Sequence, residues 1–211
     1  MSPEVETLLL PDLTARLRHL APGVRVLARV FSYDAAEPSL EDGNIDLAVG
    51  CTYARSARRL SETLYESEVA CCFNAALLPL PLPVERRTYL AACQAVISQN
   101  ENLQGCIKEA LEVAGVELDV VMAAPGYLAV LAAAISSPVV ATVPHRIAEK
   151  YGPTLGLTLS ALPIPLSLPP VTMVWAAHAD ADPANAWMRQ MIRDSLPCTG
   201  LAIPHGSCST T

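Results

Sequence analysis

Aromatic residues are scarce in this 211-residue chain, at 5%, and charged residues make up only 17%. The first shortage excludes the ring-rich platforms that stack bases or sugars. The second, set beside 52% hydrophobic residues, excludes a disordered chain, which could not bury enough apolar surface to hold together. Positive charge is also short: 14 Lys and Arg stand against 21 Asp and Glu, a net charge of −7. Arg55, Arg58, Arg59 and Arg86-Arg87 are the densest basic clusters. Such a chain repels a phosphate backbone and is not expected to grip nucleic acid by itself.

Chemical motifs are equally sparse. The seven cysteines, Cys51, Cys71, Cys72, Cys93, Cys106, Cys198 and Cys208, are odd in number and show no C-x-x-C or C-x-x-H spacing. Neither a disulfide framework nor a zinc site is expected, and a reducing cytoplasm suits the chain. No secretory signal precedes the first helix. His19, His145, His178 and His205 are scattered, each with at most one potential ligand three or four positions on, too few for a metal site. There is no G-x-S-x-G, no G-x-G-x-x-G and no Walker loop. Glu41, Asp42 and Asp46 fit capping and turn chemistry around a helix end. The expectation is a protein with no catalytic residues, no metal and no cofactor.

What the chain has is an uncharged stretch from Val120 to Val143 within ELDVVMAAPGYLAVLAAAISSPVVATVPHRI, residues 117–147. It is long enough to span a bilayer, but Pro125-Gly126 and Ser136-Ser137-Pro138 cut it into pieces of strand or short-helix length. The pattern predicts a strand over Leu118–Ala123, a helix over Tyr127–Ile135 and a strand over Val139–Val143, with Pro144 opening another helix. Parallel strands buried on both faces read as such apolar runs, so a parallel pair with a right-handed crossover is expected and a membrane span is not.

Leu9, Leu13, Leu17 and Leu20 predict a first helix, with Ser2 as its N-cap, Pro3 in the first turn and Pro11 as a point of kinking. Strands are predicted over Val24–Phe31, Asn44–Gly50, Leu60–Tyr65, Val69–Phe73, Ala95–Ser98 and Val171–Ala176. Helices are predicted over Ala35–Asp42, Leu103–Ala114 and from Asp182-Pro183 onward. Two proline-rich stretches, LPLPLP at 78–83 and LPIPLSLPP at 162–170, suit neither a central strand nor a helix interior. They bracket residues 84–161, which the pattern makes a second α/β lobe inserted into a first of 1–77 plus 169–196, with 78–83 and 162–168 as crossings. A disordered tail is expected over 197–211.

Polar groups fall at the strand and helix ends of this plan. Ser98 and Asn100 follow a strand, Gly126 and Tyr127 open a helix, Thr142 lies late in a strand, and Ser2 opens the first helix. Each taken alone is an ordinary turn former or strand-end group. Together, facing one another across two lobes, they would line a cleft suited to a small acid, especially one carrying a ring that Tyr127 could touch.

Four stretches then carry a resemblance: LPDLTARLRHLAPGVRV (10–26), LEDGNIDLAVG (40–50), VVATVPHRIAEKYG (139–152) and VTMVWAAHADADPANAWMRQ (171–190). Their order and spacing resemble the effector-binding domain of LysR-type transcriptional regulators, most closely the subgroup responsive to aromatic compounds and flavonoids. The resemblance implies a two-lobed α/β fold like type 2 periplasmic binding proteins. It implies an aromatic or carboxylate inducer held between the lobes near Ser2, Ser98–Asn100 and Gly126-Tyr127, and a homodimer or tetramer. DNA would be reached through a winged helix-turn-helix that this sequence does not carry. It also implies an apolar first strand upstream of Ser2, central in lobe one and missing from this sequence. A transporter's solute-binding protein shares the two-lobe plan and stands as the alternative.

Overall fold

The computed structural model describes residues 1–30, 33–51, 58–99, 103 and 107–196. Among these, the strands in chain order are β1 (Ala48–Cys51), β2 (Arg59–Tyr65), β3 (Val69–Phe73), β4 (Gln94–Ile97), β5 (Val120–Ala124), β6 (Val140–Pro144), β7 (Thr158–Ala161) and β8 (Val171–Ala176). The helices are α1 (Pro3–Leu20), α2 (Tyr33–Glu41), α3 (Arg86–Ala91), α4 (Lys108–Val113), α5 (Tyr127–Ser136), α6 (His145–Tyr151) and α7 (Pro183–Ser195).

The strands form two sheets. One is antiparallel, in the order β1-β8-β2. β8 is buried along its whole length because it lies between two neighbours and is covered on both faces. α1 and α7 pack on one face, where Val5, Leu9, Leu13 and Leu17 meet Val171, Met173 and Trp175. Leu40 of α2 meets Ala48 and Val174 in a separate small cluster. α1 starts where its residue types dictate: the Ser2 hydroxyl accepts from the Val5 N–H at 3.4 Å, and Pro3 fills a first-turn position that needs no donor. α7 repeats the device, with the Asp182 carboxylate accepting from the N–H groups of Ala184 and Asn185. Gly43, at φ +70°, supplies the left-handed turn after α2.

The second sheet runs β5-β4-β6-β3-β7, with β5, β4 and β6 parallel and β3 antiparallel to both β6 and β7. One apolar cluster joins it to α5 and α6, through Val130, Leu131, Ala134, Ile147 and Ala148. Another joins it to α3, α4 and both proline-rich stretches, through Tyr89, Leu111, Leu80, Leu162 and Leu168.

Several expectations are corrected. Val69–Phe73, assigned from sequence to lobe one, is a strand of the second sheet. Its VACCF run is buried almost throughout, so it needs a partner on each edge, and β6 and β7 provide them. Leu78–Pro83 therefore joins β3 to α3 and does not cross between sheets. The chain crosses at 66–68 and again at 162–170. β5 and β6 are parallel as expected but are not neighbours, because β4 lies between them. The predicted strand at 24–31 is absent over 24–30; Phe31 lies outside the described residues. On β1, Val49 O accepts from the Ser2 N–H at 2.9 Å. α3 and β7 were not expected from the sequence. The helix predicted from Leu103 is narrower as described, α4, with 104–106 outside the described residues. The tail from 197 also lies outside them.

Candidate functional site

A cavity of about 110 Å³ opens between the sheets. Glu4 of α1 and Cys51 of β1 border it from the first sheet's side. Val69 of β3, Val96 and Ile97 of β4, Thr142, Val143 and Pro144 of β6, Tyr127 of α5 and Ile107 border it from the second. Ser67, Leu168 and Pro169 of the two crossings complete the wall. Its size approaches that of apolar cavities of about 150 Å³ that take a benzene ring.

Of the residues singled out from sequence, the structure brings Tyr127 and Thr142 to this wall. Tyr127 is the first residue of α5 and is buried. Thr142 is buried too, and its hydroxyl is committed: it donates to Gln94 Oε1 at 3.1 Å and sits 2.7 Å from the Tyr89 hydroxyl. Gln94 Nε2 in turn donates to the carbonyls of Tyr89 and Ala92. Thr142 thus anchors a buried polar network while bordering the cavity.

Ser2, Ser98 and Gly126 are not among the residues that line it. Ser98 follows β4, is buried, and donates its N–H to Ala124 O at 2.9 Å. Gly126 is the N-cap of α5, with open space where a Cβ would lie. Ser2 is occupied as a cap and by its N–H bond to Val49 O. It approaches Gly50 so closely that a Cβ there would lie 3.1 Å from the Ser2 Cβ. Asn100 falls outside the described residues.

Sequence reasoning missed Glu4, an acid in the first turn of α1. It is 4% exposed. The Tyr65 hydroxyl at the end of β2 donates to its Oε1 at 3.1 Å. The Arg146 guanidinium of α6 lies 3.9 Å from the Tyr65 ring centroid, so this cluster spans both sheets. Burial pushes the Glu4 carboxyl up to about 7, against the opposing pull of the Tyr65 hydrogen bond and the Arg146 charge. Burial also raises the Tyr65 phenol, with the Glu4 charge adding to it. Further ties between the layers are Tyr151 OH donating to Thr7 O at 3.1 Å and Lys150 Nζ to Asp12 at 3.3 Å. The cavity wall carries no nucleophile–base pair, and no group of three metal-ligating side chains occurs among the described residues. No helix among the described residues is long and apolar enough to cross a membrane.

A family model described as the LysR substrate binding domain matches residues 1–197. The regulatory domain of MexT, a transcriptional activator in Pseudomonas aeruginosa, superposes with a TM-score of 0.79 at 28% identity, covering 92% of this chain and 94% of that one. The transcriptional activator NagR of Ralstonia sp is 24% identical over 88% of this chain and 62% of its own length. The transcriptional activator NahR of Pseudomonas putida is 27% identical over 90% of this chain and 63% of its own length. The chain therefore spans less than two thirds of the curated relatives it matches.

Proposed function

Because this chain belongs to the LysR substrate binding domain family, with the two-lobed periplasmic-binding-protein-like fold of that family, we propose that it is the inducer-sensing part of a transcription regulator. The cavity between the sheets is its receptor for a small aromatic molecule. The observation that carries the reading is the placement of one concave, mostly aliphatic space against both sheets and both crossings. A guest there touches both lobes at once and favours the lobe arrangement that binds it better. The lobes that go with this reading are 1–65 with 171–196, and 69–161, since β3 pairs in the second sheet.

Tyr127 supplies a ring face to the guest, and Thr142 shapes the floor. Ser98, Asn100 and Gly126 form the strand-end and helix-start rim, and Ser2 acts through the position of α1. Homodimers or tetramers in the cytoplasm pass the change to DNA through a helix-turn-helix outside these residues. The names of the relatives favour this over a transporter's solute-binding protein. Calorimetric titration with small phenols and benzoates tests it. Tyr127→Ala should weaken binding of whichever compound binds by more than about tenfold, or 1.4 kcal/mol. Unchanged affinity would remove Tyr127 from the site.

A further inference from the structure

The only formal charge on the cavity wall, among the described residues, is negative. Glu4 supplies it, and the remaining wall is Val, Ile, Leu and Pro with a few uncharged polar side chains. Arg146 does not border the cavity; its guanidinium lies over the outer partner, Tyr65. Glu4 Oε1 accepts from the Tyr65 hydroxyl at 3.1 Å, and the carboxylate borders the cavity. A largely buried carboxylate on an apolar wall rewards a guest that brings a donor and penalises one that brings a second negative charge into the same low-dielectric space. The amino end of α5 offers an anion only the partial positive charge of a helix terminus, against the charge Glu4 carries when ionised, which Arg146 offsets in part.

We propose that the cleft selects an uncharged phenol over a ring carboxylate, the phenol hydroxyl donating to the Glu4 carboxylate while the ring lies among Val96, Ile97 and Tyr127. This rests on the reading of the cleft as an inducer site and names the chemical class it takes. Glu4 is then a specificity-determining residue. The wall separates guests by charge and by donor, two properties that can be varied one at a time.

The experiment is calorimetric titration at pH 8 with 4-ethylphenol, 4-ethylbenzoate and 4-ethylanisole, on the parent chain and on Glu4→Gln. The phenol should bind at least about tenfold more tightly than either other probe, since the benzoate adds charge and the anisole lacks the donor. In Glu4→Gln the phenol–benzoate gap should close to less than about threefold, mainly through tighter benzoate binding. Equal or tighter binding of benzoate by the parent chain overturns the proposal, as does a gap that Glu4→Gln leaves unchanged. The anisole comparison needs no variant, and anisole binding as tightly as the phenol also overturns it. Each of those results still has an aromatic guest bound, so the inducer-sensing reading survives them. Binding by none of the three probes overturns both.

Discussion

Glu4 carries a titratable carboxyl in a place that withholds water from it, and this has a consequence for stability. Its pKa stands at about 7 in the folded chain against 4.5 ordinarily, with Tyr65 and Arg146 facing it from β2 and α6. The folded state therefore binds more protons than the unfolded state between those values, and stability falls as pH rises through that window. Below about pH 4.5 Glu4 is protonated in both states and imposes no penalty. Above about pH 7 the full penalty applies, roughly 3 kcal/mol by linkage. Glu4→Gln should accordingly gain stability relative to the parent chain as pH rises from 5 to 8, by denaturant unfolding at each pH. A difference between the two proteins that stays flat across that range would contradict the assignment. The sequence could not disclose this residue. An acid in the first turn of a helix is ordinarily solvated beside the positive end, whereas Glu4 is buried where Tyr65, 61 positions later, bonds to it. That Tyr127 borders the cavity was legible because Gly126 marks a strand-to-helix turn.

At the scale of elements, the helices capped by Ser2 and Asp182 and the apolar strands β4, β6 and β8 follow from local chemistry, and there sequence and structure agree. Pairing does not follow from local chemistry. The segment 24–30 alternates like a strand, yet Val26, Leu27 and Val30 are exposed at 46%, 86% and 46%. Alternation fixes which side chains share a face, but a strand also needs a neighbour for its N–H and C=O groups. Met1 and Ser2 enter beside this segment: the amino group donates to Arg29 O at 2.7 Å, and the Ser2 N–H to Val49 O on β1. An apolar extension of about five residues before Met1 would continue along that line between 24–30 and β1. It should raise the melting temperature by about 5 °C, the shift that roughly 2 kcal/mol produces in a domain of this size. Differential scanning calorimetry of the extended and parent chains decides it; no gain would mean that the two edges do not accept a strand between them.

On the scale of the whole molecule, two proline-rich stretches marked a boundary, and only one of them is a crossing. Residues 162–170 do pass from the second sheet to the first. Residues 78–83 instead lay Leu78 and Leu80 on the same apolar cluster that Leu162 and Leu168 cover, so both stretches shield one face of the five-stranded sheet. Proline content reports that a segment lies off the ladders. It does not report which layers the segment connects. The crossings at 66–68 and 162–170 place Ser67, Leu168 and Pro169 beside the cavity, while α1 bridges the layers through Leu8, Thr7 and Asp12. A guest in the cavity thus meets both sheets and the segments between them. The most direct measurement is a crystal structure of the chain grown with saturating 4-ethylphenol. The account predicts the ring in the cavity between the sheets, against Tyr127 and with its hydroxyl beside Glu4. A cavity closed by side chains, or a guest held only on the outer surface, would contradict it.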